Sequence, residues 1–265
     1  MNRTTEGPNA ATGQKGAAPH SAFPIPHSAF LGWCVHFYTA LGLVAAAGIA
    51  VLLFRGDPEA FRWCFVLMLV ATLIDATDGS LARAVRIKEV LPGFDGRRLD
   101  DLVDFLTYTC LPLLLIWRAG LLPEGWGAWL LLPLLASAYG FCQASAKTDD
   151  GYFLGFPSYW NLVAFYLYAG QPLPAGLSLA VIVVLALLTF VPSRYLYPTQ
   201  PGRLNRVTIV LAVPWVVLLL AVLWALPDGA TVRPLLLLSV YFPAYYLLAS
   251  WAVTWLAWRR PGALP

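Results

Sequence analysis

Four aspartates between residues 75 and 104 have the residue type and the spacing that metal-dependent chemistry needs. Asp75 and Asp78 are three residues apart, and Asp100 and Asp104 are four residues apart. On a helix, either spacing puts both carboxylates on one face. If two consecutive antiparallel helices carry these pairs, all four carboxylates meet at the connected end. Such carboxylates repel one another and are poorly solvated in an apolar setting, and a divalent cation removes both problems.

The residues around the aspartates indicate a phosphate-bearing ligand. Oxygen-only ligands favour Mg²⁺, Mn²⁺ or Ca²⁺ over Zn²⁺, and four carboxylates can hold two cations about 3.5–4 Å apart for displacement at phosphorus. Gly79 and Gly96 leave the backbone open to a bulky ligand, and Arg83 can meet a phosphate oxygen. We therefore predict a site for a metal-bound diphosphate. Two other interpretations remain open: an Asp–Arg ion-pair cluster, and a carboxylate relay for ion or proton transport.

The chain that must position these residues has the composition of a membrane protein. Of its 265 residues, 59% are hydrophobic and only 12% are charged. Uncharged runs reach the roughly 20 residues that a helix needs to cross a bilayer. Two half-apolar segments, 63–74 and 105–117, cross only if the turns that carry the aspartates are included. We predict an all-α polytopic bundle of about eight transmembrane helices, the other six at 31–54, 125–146, 151–173, 174–192, 207–226 and 234–258.

The distribution of basic residues predicts the orientation in the membrane. Eight crossings put both termini on one side, and that side holds all but four of the 17 Lys and Arg residues. Cytoplasmic loops carry such an excess, so the termini and the aspartates are expected in the cytoplasm. The basic residues lie in separate short loops, which does not favour nucleic acid as a partner. Residues 1–30, which repeat the segment PHSAF, are predicted to be a disordered tail, and residues 31–260 the membrane domain.

The order of these residues resembles the signature of the CDP-alcohol phosphatidyltransferases. Asp75-x₂-Asp78-Gly79-x₂-Ala82-Arg83 and Gly96-x₃-Asp100-x₃-Asp104 contain all eight signature residues, which is a far more specific match than a lone glycine motif. The resemblance implies a six-helix membrane core, a homodimer and a polar cavity open to the cytoplasm. It also implies that an alcohol attacks the β-phosphorus of a CDP-linked lipid and releases CMP.

The resemblance also implies a role for each signature residue. Asp75, Asp78 and Asp100 would be ligands of Mn²⁺ or Mg²⁺, with two ions bound, and Asp78 and Asp100 would bridge them. Asp104 would lie near the metals and act as general base for the incoming hydroxyl. For His36, in the first predicted helix, a structural role as a buried histidine remains the alternative. The residues expected to border the CDP moiety are Gly79, Ala82, Arg83, Gly96, His36 and Thr39.

A longer spacer narrows the resemblance. Twelve residues, AVRIKEVLPGFD, separate Arg83 from Gly96, whereas most of the family has about eight or nine. The spacer, together with VHFYTALG, KEVLPGF and AKTDDGYFLGFPSYWN, is similar to the bacterial phosphatidylcholine synthases. That similarity implies CDP-diacylglycerol and free choline as substrates and the bacterial inner membrane as the location. Serine, glycerol 3-phosphate or an inositol acceptor remains the alternative.

Aromatic residues near the cytoplasmic side suit a choline substrate. Choline is a quaternary ammonium, which proteins bind with aromatic faces, sometimes helped by a carboxylate. We expect at least one ring of this group to contact it, although Trp and Tyr are also enriched at membrane interfaces in general. The candidates for the choline site are Tyr108, Tyr152, Phe156, Tyr159, Trp160 and Asn161.

Overall fold

The protein is a bundle of helices with one small sheet. The computed structural model describes residues 26–143, 148, 151–197, 202–226 and 228–259. The elements are α1 (Pro26–Arg55), α2 (Pro58–Ala84), α3 (Ile87–Val90), α4 (Gly96–Asp104), α5 (Leu111–Arg118), α6 (Leu131–Cys142), β1 (Tyr152–Leu154), α7 (Trp160–Ala169), α8 (Ala175–Leu188), β2 (Arg194–Leu196), α9 (Arg203–Ala225), α10 (Gly229–Ser239) and α11 (Tyr241–Trp258). A π-helical turn, Phe105–Cys110, joins α4 to α5, and a 3₁₀ turn, Gly127–Leu130, precedes α6.

The helices confirm a polytopic helical membrane protein. Within the described part of the chain, four helical stretches are long and apolar enough to cross a bilayer: 28–55, 58–84, 203–225 and 229–258, the last formed by α10 and α11. Two shorter apolar helices cover 127–142 and 175–188. The number of crossings, eight, stays a prediction. Of the predicted tail, residues 1–25 lie outside the described residues, and 26–30 belong to α1.

A two-stranded sheet replaces the start of the predicted fifth helix. Strands β1 and β2 pair antiparallel, with Phe153 opposite Tyr195. Helix α7 begins only at Trp160, because Gly155 and Ser158 before it have φ values of +78° and +53°, a left-handed conformation that no helix contains. Polar side chains of α11 hold β2 in place, since Ser250 Oγ accepts the Leu196 N–H at 3.1 Å. The residues expected in a single helix thus form a strand, a turn and a shorter helix.

The helical stretch formed by α4, the π-helical turn and α5 widens directly after α4. The Leu111 N–H donates to the Leu106 carbonyl, five residues back instead of four. Pro112 explains this change, because it has no N–H for the Tyr108 carbonyl and its ring would collide with that carbonyl in a regular α-helix. Such wide turns occur often at functional sites, and this one carries Tyr108.

Glycines allow α1 to pack closely against its neighbours. A Cβ atom on Gly42 would overlap the side chain of Val103 on α4. A Cβ atom on Gly48 would lie 2.8 Å from Leu67 Cδ1 on α2. Because Val103 directly precedes Asp104 in the chain, the contact with Gly42 fixes how near the acidic face of α4 lies to α1 and α2.

Replacing Gly42 by alanine should therefore destabilise the protein. Helix propensity alone would predict the opposite sign, since Ala is favoured over Gly inside helices by roughly 0.5–1 kcal/mol. The overlap with Val103 should outweigh this gain and cost about 1–3 kcal/mol, the usual penalty of overpacking. Thermal unfolding of the purified protein in detergent measures the effect.

Gly176→Ala is the matched control, because a Cβ atom there meets nothing within 4 Å. That variant should unfold at or slightly above the wild-type temperature. Equal melting temperatures for the two variants would contradict the proposed role of the contact between Gly42 and Val103.

Candidate active site

The aspartates of α2 and α4 come together as the sequence predicts. Oxygen atoms of Asp75, Asp78 and Asp100 all lie within 4.8 Å of one another. Asp78 is buried, and the other two are half-buried. Asp75 and Asp78 share one face of the C-terminal half of α2, and Asp100 faces them from α4. The connection between the two helices, which contains the short helix α3, folds both acidic ends to the same side.

Asp104 lies one turn further along α4, at the edge of this group. Its Oδ1 atom is buried and has no hydrogen-bond partner among the described residues. Asp104 lies close enough to Asp75, Asp78 and Asp100 for electrostatic interaction. A carboxylate oxygen that is buried without a partner is costly, so this atom suits a ligand, a cation or a proton that the described residues do not supply.

Two hydroxyl groups bind the carboxylates of α2. Thr39 Oγ1 on α1 donates to Asp78 Oδ2 at 2.7 Å. Tyr108 Oη on the π-helical turn donates to Asp75 Oδ2, also at 2.7 Å. These short hydrogen bonds to charged oxygens are strong, and each ties an aspartate of α2 to a different neighbouring element.

Arginines of the segment form other contacts. Arg83 is exposed and its Nη2 atom donates to Ser80 Oγ at 2.9 Å. Arg98 pairs with Asp95 at 3.1 Å. The partners in these two contacts are Ser80 and Asp95, and not the clustered aspartates. These contacts leave Arg83 at the solvent-facing end of α2, one turn beyond Gly79, where an incoming phosphate can reach it.

His36 packs on the start of α4. A Cβ atom on Gly96 would overlap the imidazole ring, so only glycine fits at that position without displacing it. The ring of His36 lies 4.3 Å from that of Phe94, centroid to centroid. His36 is buried, and its Nε2 atom has no hydrogen-bond partner among the described residues. The histidine thus lies beside Gly96, as expected for two residues of one subsite, while Ala82 is half-buried on α2.

The candidates for the choline site divide into two groups. Phe156 and Trp160 are buried in the core, and Trp160 Nε1 donates to Ser137 Oγ at 2.7 Å. Asn161 Nδ2 donates to Thr72 Oγ1 at 3.4 Å. In contrast, Tyr159 lies close enough to Asp75 for electrostatic interaction. Tyr152, on β1, stacks with the guanidinium of Arg194, whose Cζ atom is 5.7 Å from the ring centroid.

Two further tyrosines, Tyr195 and Tyr246, lie near Tyr159. Tyr246 on α11 lies 6.2 Å from Tyr159 and 6.2 Å from Tyr195 on β2, centroid to centroid. We name the group of Tyr159, Tyr195 and Tyr246 the tyrosine cluster. No local motif marks Tyr195 or Tyr246, because they come from a sheet that the hydropathy pattern does not predict and from the last helix. Only the tertiary fold brings them to Tyr159.

The donor set fits a divalent cation. Three carboxylates with oxygen atoms within 4.8 Å of one another, and no nitrogen or sulfur ligand beside them in that group, match the preference of Mg²⁺ and Mn²⁺ for oxygen. Asp104 Oδ1, at the edge of the group and without a hydrogen-bond partner among the described residues, is a further oxygen that could bind a cation. Asp75, Asp78 and Asp100 would hold the cation, and Asp104 would lie next to it.

Comparison with known proteins gives the family. A scan against models of protein families gave no match. The chain is 36% identical over 186 residues to the phosphatidylcholine synthase of Pseudomonas aeruginosa, covering 70% of this chain and 76% of the relative. The chain belongs to the phosphatidylcholine synthase family. This result confirms the resemblance to the CDP-alcohol phosphatidyltransferases and the expectation of a membrane transferase of phospholipid biosynthesis.

Other members of the phosphatidylcholine synthase family show the same relation. The protein from Legionella pneumophila is 38% identical over 184 residues, which are 67% of this chain and 69% of the relative. The protein from Borreliella burgdorferi is 28% identical over 229 residues, which are 85% of this chain and 95% of the relative. The similarity to the Borreliella protein thus extends over most of both chains.

Asp100→Asn should weaken metal binding. Loss of one carboxylate from the group of three removes both a charge and an oxygen ligand. The affinity for Mn²⁺ should fall by at least about tenfold, since even the loss of a hydrogen-bond partner of a metal ligand costs 10–100-fold. Electron paramagnetic resonance of free Mn²⁺ in a titration of the purified protein measures the affinity.

Asp101→Asn is the control with the same change in charge, one residue away and outside the group of three. Its affinity should stay within about twofold of the wild type. If both variants bind Mn²⁺ equally well, the cation does not bind where the three carboxylates meet.

Proposed function

We propose that this protein condenses CDP-diacylglycerol with free choline to give phosphatidylcholine and CMP. The observation that carries the proposal is the convergence of Asp75, Asp78 and Asp100, with Asp104 beside them, in a chain of the phosphatidylcholine synthase family. The names of the relatives support choline as the acceptor. The reaction would depend on Mn²⁺ or Mg²⁺, with two ions bound as the family signature implies.

The chain's own residues suit the displacement at phosphorus. When bound, the cations would neutralise the diphosphate and stabilise the departing CMP. Asp104 would accept the hydroxyl proton of choline, because its Oδ1 atom is buried and has no hydrogen-bond partner in the described part of the chain. The choline oxygen would then form its bond to the β-phosphorus as the bond from that phosphorus to the bridging oxygen breaks. CMP would leave with that oxygen, and the lipid would keep the β-phosphate.

Arg83 and the residues around Gly96 would bind the nucleotide. Arg83 is exposed at the end of α2, so its guanidinium can turn to a phosphate oxygen with little displacement of other groups. Gly79 and Ala82 add little bulk on the same helix. The buried Nε2 atom of His36, which no described residue hydrogen-bonds, lies beside Gly96 and would hydrogen-bond the nucleotide, with Thr39 contributing through Asp78.

Choline would bind between the carboxylates and the tyrosine cluster. The ammonium group needs aromatic faces and negative charge, and Tyr159 lies near both Asp75 and Tyr246. An anionic acceptor would instead need spare cations near the site. Arg194 is engaged with the ring of Tyr152, and Arg203 is exposed at the start of α9. These cations do not by themselves separate choline from an anionic acceptor, and the names of the relatives are the observation that favours choline.

The proposed location is the inner membrane of a bacterium, with the site and both termini in the cytoplasm. The excess of Lys and Arg on one side of the predicted topology supports this orientation, and the bacterial origin of the relatives supports a bacterial membrane as the location. The protein would act as a homodimer, as the resemblance to the wider family implies. Membrane lipids would surround the exposed apolar faces of α1 and α9.

Purified protein should release CMP from CDP-diacylglycerol in the presence of Mn²⁺ when choline is supplied, and not when serine, glycerol 3-phosphate or inositol replaces it. Asp104→Asn should lower the rate by about 10²–10⁴-fold, the usual contribution of a general base. Asp101→Asn, which removes the same charge nearby, should keep most of the activity.

The acceptor series separates the alternatives. Release with serine, glycerol 3-phosphate or inositol would overturn the choline assignment and keep the chemistry. If no acceptor supports CMP release, the result favours the hypothesis of ion transport. That hypothesis predicts metal flux into vesicles that contain the protein, without release of CMP.

Tyr159→Leu should raise the KM for choline. Removing one aromatic face from an ammonium site costs about 0.5–2 kcal/mol, or roughly 2–30-fold in KM. Tyr241→Leu, which removes a ring from the same membrane domain outside the tyrosine cluster, is the control and should leave that KM within about twofold. An unchanged choline KM in Tyr159→Leu would remove Tyr159 from the choline site.

A further inference from the structure

The hydroxyl of Tyr108 donates its hydrogen bond to Asp75, one of the proposed metal ligands. Its Oη atom donates to Asp75 Oδ2 at 2.7 Å. A hydrogen bond of this length to a charged oxygen restricts rotation of the carboxylate. It uses one lone pair of Oδ2, and Asp75 contributes an oxygen to the group of three carboxylates.

Two further side chains, Thr72 and Asn161, connect this hydroxyl to the neighbouring helices. The Thr72 side chain on α2 lies close enough to the Tyr108 hydroxyl to interact with it, and Asn161 on α7 donates to Thr72 Oγ1 at 3.4 Å. The single O–H of Thr72 donates to the Met68 carbonyl at 3.0 Å, and that of Tyr108 donates to Asp75, so Thr72 supports the Tyr108 hydroxyl by packing beside it. The chain of contacts therefore runs from α7 through α2 to the π-helical turn and ends at Asp75.

The wide turn is what gives Tyr108 this position. One extra residue in a helical turn changes the direction of the side chains that follow it, compared with a regular α-helix. The π-helical turn forms because Pro112 is incompatible with a regular α-helix at this position. Tyr108 is thus oriented by a local feature of the backbone as well as by its partners, as expected for a group that must hold another group still.

We propose that Tyr108 is a positioning residue that orients Asp75 for metal binding, supported by Thr72 and Asn161. This role differs from a contact of the Tyr108 ring with choline, because it depends on the hydroxyl and not on the aromatic face. Thr39 gives Asp78 a comparable partner, so both carboxylates of α2 are held by hydroxyls from neighbouring elements. The inference rests on the proposed function in so far as it requires a metal at the carboxylates.

Tyr108→Phe tests the proposal, because it removes the hydroxyl and keeps the ring. The affinity of the purified full-length protein for Mn²⁺, measured by electron paramagnetic resonance without substrates, should fall about 10–100-fold, as is typical when a metal ligand loses its hydrogen-bond partner. The Mn²⁺ concentration for half-maximal CMP release should rise in parallel. At saturating Mn²⁺ the KM for choline should stay within about twofold of the wild type.

Tyr241→Phe is the matched control. Its hydroxyl donates to the Leu211 carbonyl at 2.6 Å, between α11 and α9, so this variant also loses one hydrogen-bonded hydroxyl but should bind Mn²⁺ as the wild type does. If the wild type binds Mn²⁺ and Tyr108→Phe binds it equally well, the positioning role is overturned. A raised choline KM with unchanged Mn²⁺ affinity would likewise overturn it and assign Tyr108 to the substrate.

Failure of the wider account gives a different result. If the wild-type protein itself does not bind Mn²⁺, the proposed metal dependence fails, whatever Tyr108 does. If Tyr108→Phe does not fold, Thr72→Val tests the same contacts and should weaken Mn²⁺ binding in the same direction but less. Wild-type Mn²⁺ affinity in a folded Thr72→Val protein would then overturn the proposal.

Discussion

The mutual repulsion of four carboxylates, held together in an apolar bundle, is the constraint on which the rest of this structure depends. Negative charges at membrane depth are expensive and mark functional sites. Asp75, Asp78 and Asp100 nevertheless approach within 4.8 Å. The protein keeps them together through the close packing of α1 at Gly42 and through hydrogen bonds from Thr39 and Tyr108. A divalent cation would relieve the remaining repulsion, and the same cation would suit the diphosphate of the proposed lipid substrate.

The sequence contains enough information to predict the carboxylate cluster. Spacings of three and four residues define helix faces, and the short connection between α2 and α4 permits one arrangement in which those faces meet. Those two facts concern local geometry, so they can be deduced without a structure. The membrane-spanning character also follows from the sequence, since uncharged runs long enough to cross a bilayer recur in a chain with 59% hydrophobic and 12% charged residues. The predicted count of eight crossings and the homodimer remain predictions.

The rest depends on contacts that are distant in the chain. Residues 152–154 have no hydropathy signal that separates them from the helix after them, and they become a strand only because Arg194–Leu196 lies alongside. The π-helical turn is marked by Pro112 alone, and a proline inside an apolar run predicts a break without giving its form. Tyr246 joins Tyr159 and Tyr195 through the packing of α11 on the sheet. Hydropathy patterns cannot specify such pairings.

The central claim is that Asp75, Asp78 and Asp100 meet in order to bind a divalent cation. Anomalous X-ray scattering at the manganese edge, from crystals of the full-length protein grown with Mn²⁺ and CDP-diacylglycerol, tests it most directly. The account predicts an anomalous peak within bonding distance of carboxylate oxygens from all three aspartates. A second peak on the Asp104 side would agree with two bound ions. The absence of any peak between α2 and α4, with the nucleotide bound, would contradict the account.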